Sequence, residues 1–116
     1  MKFLSLGFKT TVAILALAVF AVQASGAAGA NTLTGTDGPG FTITMNKQTV
    51  KAGTYTITIH DRSNIHVFHL SGPGVDKKTS VPAVNTTKWT VTLKKCTYHF
   101  VCDPHKTVMH GVLKVT

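Results

Sequence analysis

From Phe41 onward, apolar and polar residues alternate along the chain with a period of two. Phe41, Ile43 and Met45 are separated by Thr42 and Thr44, and Tyr55, Ile57 and Ile59 by Thr56 and Thr58. Trp89, Val91 and Leu93 alternate with Thr90 and Thr92, and Cys96, Tyr98, Phe100 and Cys102 with Thr97, His99 and Val101. His66, Phe68 and Leu70 share a face, and a last short run covers residues 111–116. Successive side chains of a strand point to opposite faces, so each run predicts a strand with one buried face, and helical spacing is absent. Threonine, valine, isoleucine and aromatic residues fill these runs because branching at Cβ suits a pleated surface. Asp37-Gly38, Pro39-Gly40, Ala52-Gly53, residues 61–64 and Gly72-Pro73-Gly74 supply the turns between them. The pattern predicts an all-β fold, an antiparallel Greek-key sandwich of seven or eight strands with Trp89 and Tyr98 in its core. Residues 76–88 are the least regular stretch.

The first thirty residues break this pattern. Lys2 and Lys9 mark a basic start, and an uncharged apolar run follows over residues 12–22 before Gln23 and small residues. A helix needs about 20 apolar residues to cross a bilayer, so the run reads as a signal peptide, with cleavage after Ala24 or Ala30. Residues 31–116 are then one exported domain of 86 residues, bound for the periplasm or the medium and expected as a monomer. From Asn31 on, ten Lys and Arg face four Asp and no Glu, a net of +6. That balance favours partners with an acidic docking surface, but the lysines are scattered, which argues against nucleic acid.

Two cysteines in an exported domain raise the question of a disulfide. Cys96 and Cys102 lie six residues apart in one strand-like run, roughly 20 Å if extended at about 3.3 Å per residue. Bridged Cα atoms lie within about 7 Å, so the pair is expected to stay unbridged. An unpaired thiol in an oxidising compartment is a hazard unless something occupies it. Cys102, His105 and Met109 place a thiolate, an imidazole and a thioether within eight residues. Two imidazoles and a thiolate with a weak axial thioether suit copper, since sulfur favours Cu(I) and nitrogen accepts Cu(II). His66 is the leading second imidazole, because it begins a strand and shares the inward face with Phe68 and Leu70. Spacing alone leaves His69 and His110 open.

These residues resemble a known family. Thr97-Tyr98, Phe100, Cys102-Asp103-Pro104-His105, Met109 and Gly111 look like the C-terminal copper loop of the plastocyanin-like cupredoxins, the type 1 blue copper proteins. Residues 61–75, with His66-Val67-Phe68-His69-Leu70 and Gly72-Pro73-Gly74, look like the segment that gives such proteins their upstream histidine. The resemblance implies one copper per chain, with His66, Cys102 and His105 as equatorial ligands and Met109 as the axial one. It also implies single-electron exchange with redox partner proteins through the edge of His105. Three positions depart from the family pattern. Val67 replaces an asparagine that often braces the cysteine loop, Cys96 stands where a turn glycine is usual, and only three residues separate His105 from Met109.

Other chemistries fit less well. Cys102-x-x-His105 with His66-x-x-His69 offers zinc-like ligand types, but strand alternation puts His66 and His69 on opposite faces. His60, His69 and His99 have outward parity and are expected to be solvated. The four aspartates occupy turn-like positions with no pair set for acid and base work, so hydrolytic catalysis finds no support. An exported copper-delivery module, or a sandwich without metal serving adhesion, remains compatible with the same pattern.

Overall fold

The structure is a computed structural model, and it describes residues 31–116. The signal-peptide expectation for residues 1–30 lies outside the described residues. Among the described residues nine strands form two sheets. The first contains β1 (Thr32–Asp37), β2 (Ile43–Met45), β4 (Gly53–Asp61) and β7 (Asn85–Leu93), in the order β2-β1-β4-β7. The second contains β3 (Thr49–Val50), β5 (His69–Gly72), β6 (Val75–Lys78), β8 (Cys96–Val101) and β9 (His110–Val115), in the order β3-β9-β8-β5-β6. The helical content of the described residues is one 3-10 turn, Asp103–His105.

Alternation gives the sandwich its core. Leu33, Tyr55, Ile57, Ile59, Val91 and Leu93 face inward from the first sheet, and Leu70, Tyr98, Phe100, Leu113 and Val115 meet them from the second. The partner strands are close-packed through glycines. At Gly111 the space a Cβ would fill is taken by the Phe100 ring, 2.3 Å away, so the aromatic lies flat on the backbone of β9. Tyr98 is fully buried, yet its hydroxyl donates to the Pro73 carbonyl at 2.8 Å and accepts the Lys94 amide at 3.0 Å. A buried phenol needs such partners to offset its lost hydration.

The all-β sandwich follows the periodicity, with several differences of detail. Most pairings are antiparallel, but β1 runs parallel to β4 and β3 parallel to β9. A period of two reports which face is buried and carries no strand direction. The inward positions of β1 are Leu33, Gly35 and Asp37, too weakly apolar to stand out as a strand. Residues 76–88 resolve into the end of β6, an irregular link and the start of β7. Trp89 is half-buried and packs on the core margin rather than inside it.

Two further readings need correction. Asp37 and Asp61 are not turn residues: they end β1 and β4, sit opposite each other in the parallel register, and are both buried. Missing β1 hid this pairing. Phe41 does not extend the buried face of β2. It leaves the strand and stands 58% exposed.

Candidate metal centre

Two segments build the site at one end of the sandwich. β8 delivers Cys102 to the interior, fully buried, just where the strand stops. The chain then turns tightly: the His105 amide donates to the Cys102 carbonyl at 2.9 Å, the Met109 amide to the His105 carbonyl at 2.9 Å, and the Cys102 amide to the Met109 carbonyl at 3.0 Å. Pro104 suits the first turn of this 3-10 segment, since its missing N–H would have no partner there. Three bonds among three site residues thus fix the loop before any ligand is considered.

His66 arrives differently. It was expected to begin a strand, but β5 starts only at His69, and residues 66–68 are irregular. Their backbone is satisfied elsewhere: the Phe68 amide donates to Thr79 Oγ1 at 2.9 Å and the Thr79 amide to the Phe68 carbonyl at 3.1 Å. The His66 ring is fully buried, and its Nε2 has no hydrogen-bond partner. The other nitrogen faces the cysteine loop.

His66 Nδ1 and His105 Nδ1 lie 3.1 Å apart, and Cys102 Sγ lies 3.7 Å from the first and 3.4 Å from the second. A triangle with these sides has a point about 2.0 Å from all three corners. That is the length of ordinary bonds from a first-row metal to imidazole nitrogen and somewhat short of those to thiolate sulfur, about 2.0–2.1 and 2.3 Å for zinc. The three donors therefore fit a single metal ion with only a small outward shift of the sulfur. Among the described residues they are the one such cluster of three potential ligands. The Val67 amide donates to Cys102 Sγ at 3.4 Å, and Met109, fully buried, packs with Val67 and Cys102 in a small apolar cluster.

The remaining histidines go elsewhere. His110 Nδ1 donates to the Lys106 carbonyl at 2.8 Å at the surface. His99 is exposed, and His60 is half-buried beside Thr86 Oγ1 at 3.2 Å. His69, expected to be free in solvent, is held between two carboxylates: Nδ1 lies 2.9 Å from Asp103, and Nε2 lies 2.5 Å from Asp76. Both cysteines are unbridged, Cys96 exposed and Cys102 buried.

Sequence reasoning missed Phe41. Its ring stands edge-on to both imidazoles, with centroids 5.2 Å from His66 and 5.0 Å from His105. The signal was present as an aromatic directly after a glycine-rich turn, where a core strand would not begin. Val108 and Ile65 are also exposed, at 63% and 47%, on the loops that carry His105 and His66.

An all-β sandwich that brings a buried cysteine and two histidines together at one end has the architecture of the cupredoxins. Comparison with solved structures agrees on the fold. Auracyanin A, a blue copper protein of the green thermophilic photosynthetic bacterium Chloroflexus aurantiacus, superposes with a TM-score of 0.53 at 19% identity, over 76% of this chain and all of its own. Reduced rusticyanin superposes with a TM-score of 0.56 at 22% identity, over 73% of this chain and 78% of its own. The chain has the cupredoxin fold. No protein-family model matches the sequence, and no curated protein sequence matches it. Among the described residues no helix is long and apolar enough to cross a membrane.

Proposed function

We propose that this protein is an exported carrier of single electrons that holds one copper ion through His66, Cys102 and His105, with Met109 as a weak axial donor. The observation that carries the reading is the triangle of Nδ1, Nδ1 and Sγ atoms, sized for one metal ion and buried at the end of a rigid sandwich. When bound, copper supplies a one-electron couple between Cu(II) and Cu(I).

The protein's own groups account for the rest of the task. Cys102 meets the metal as a thiolate, the soft donor that stabilises the reduced ion. His66 and Met109 are buried, and Val67 packs beside the sulfur, so water is kept from the inner side. The backbone bonds closing residues 102–109 hold the donors in one arrangement, which keeps reorganisation small when the charge changes. His105 is the half-exposed ligand. Its ring edge, beside exposed Phe41, is the route for an electron to and from a docked partner. The excess of lysine over aspartate favours a partner with an acidic surface, in association that weakens as salt rises. Four protein donors leave no open position for substrate, so the site reads as a carrier and not an enzyme. The location follows from the signal-peptide reading: periplasmic or secreted, as a monomer.

Titrating the metal-free protein with Cu(II) tests the reading. The expected result is one equivalent bound with an intense blue or green thiolate-to-copper charge-transfer band and reversible one-electron reduction. A colourless complex would overturn the carrier and favour a delivery or buffering role.

A further inference from the structure

The Val67 side chain is apolar, and the link of residue 67 to the cysteine loop is its amide, which donates to Cys102 Sγ at 3.4 Å. The structure holds another connection to the same loop. His69, first residue of β5, faces away from the core and lies between two carboxylates. Its Nδ1 is 2.9 Å and 3.1 Å from the two oxygens of Asp103, the residue after Cys102. Its Nε2 is 2.5 Å from Asp76 on β6. Ionised carboxylates only accept hydrogen bonds, so satisfying both at once requires an imidazole with a proton on each nitrogen. Burial alone would lower the pKa of His69; the hydrogen bonds and charges of Asp103 and Asp76 outweigh it and raise the pKa.

We propose that His69 is a positioning residue for the metal centre: with Asp76 as its anchor on β6, it clamps Asp103 and so fixes the start of the Cys102–Met109 loop. Asp103 lies in the 3-10 turn between two ligand residues, so restraint there acts on both. The anchor is sound because β5 and β6 pair through four registered residues, and His69 is also registered to Val101 on β8. A charge-assisted bond of this kind is about twice as strong as a neutral one, and its two-oxygen contact with Asp103 fixes orientation as well as distance.

The inference rests on the copper reading of the site, so the test has one arm with metal and one without. In the first, copper-loaded His69→Leu is expected to lose copper to a chelator about tenfold faster than the parent, within the range for partners that orient metal ligands, and to show altered relative intensities of its charge-transfer bands. In the second arm, metal-free protein carrying Cys96→Ser is treated with a thiol reagent, and Cys102 is expected to react faster once His69 is replaced. Asp76→Ala, at a side chain four-fifths exposed, is expected to act in the same direction with smaller effect, and keeps the test valid should His69→Leu fail to fold. Parent-like copper retention, spectrum and thiol reactivity in these variants would overturn the clamp. A colourless parent would overturn the carrier reading alone, and the thiol arm would still decide the clamp.

Discussion

Strand β8 carries a cysteine toward each end of the sandwich, and the two ends could hardly differ more. At the Cys96 end the thiol is exposed, beside the turn from β7, with the main chain paired to Val115. At the Cys102 end the sulfur is fully buried, accepts the Val67 amide and faces two imidazoles. The buried polar or charged side chains of the described residues, Asp37, Asp61 and His66, are all gathered at this second end. Burying such groups costs free energy unless they are paired, and His66 Nε2 has no partner. A fold that tolerates this at one end only is spending stability on a function placed there. The same residue type is thus an ordinary surface thiol at one end and the proposed metal donor at the other, and the surroundings decide which.

The largest expected effect breaks the comparison outright. Cys102→Ser removes the thiolate, and the charge-transfer band of the copper-loaded protein is expected to vanish completely in the visible spectrum. A serine variant that stays blue would remove Cys102 from the site.

Next comes the carboxylate pair beneath the site. Burial pushes the pKa of Asp37 up to about 7, with Asp61 beside it acting in the same direction as hydrogen-bond partner and as charge, and the Arg62 amide opposing them. A carboxyl whose folded pKa lies above its unfolded value of 3.8 binds its proton more tightly when folded. Its contribution is therefore favourable at low pH and is lost as pH rises from about 4 through about 7. His69, with a raised pKa, likewise stabilises while protonated and loses that contribution as pH climbs through its folded value. Both signs agree, so thermal unfolding is expected at higher temperature at pH 5 than at pH 8. Asp37→Asn keeps the shape, removes the charge, and is expected to raise Tm at pH 8 by about 5 °C, the size of a change near 1 kcal/mol in a domain this small, while flattening the pH dependence. A Tm that rises with pH in the parent would contradict the assignment.

Much of this was legible in the chain. The alternation around Tyr55, Ile57 and Ile59, and around Tyr98 and Phe100, named core residues that the structure buries, because burial of one face is what period two encodes. Cys102 and His105 were legible because a tight turn between them needs no distant element. What was hidden depended on chain direction and long-range pairing. The parallel partnership of β1 with β4 brought Asp37 against Asp61, and no local pattern announces a register between residues 24 positions apart. His66 lies with Cys102 and His105, but its segment is held there by Thr79 and not by the strand ladder that its parity implied. Phe41 and His69 were misread because parity assigns a face but not the neighbour across a loop.

A smaller effect sharpens the metal end. Met109→Leu keeps the volume and removes the thioether, so colour is expected to persist while the reduction potential shifts, because the axial donor tunes the balance between Cu(II) and Cu(I). A tenfold change in relative affinity for the two states corresponds to about 59 mV in a one-electron couple, which voltammetry resolves. An unchanged potential would make Met109 a packing residue only.

The smallest expected effect tests the other end. Cys96 opens β8 with its thiol exposed, and among the described residues it has neither a side-chain partner nor a place in the core. Substitution of an exposed side chain without such partners usually changes stability by less than about 0.5 kcal/mol. Cys96→Ser is therefore expected to leave the visible spectrum and the potential unchanged and Tm within a few degrees. The consequence is expected in the molecule's behaviour under oxidation: the parent can form a disulfide between two chains through the exposed thiol, and the variant cannot, whereas Cys102 is too deeply buried to join one. A shift in colour or potential on Cys96→Ser would mean that the two ends of β8 communicate, and the contrast drawn between them would fail.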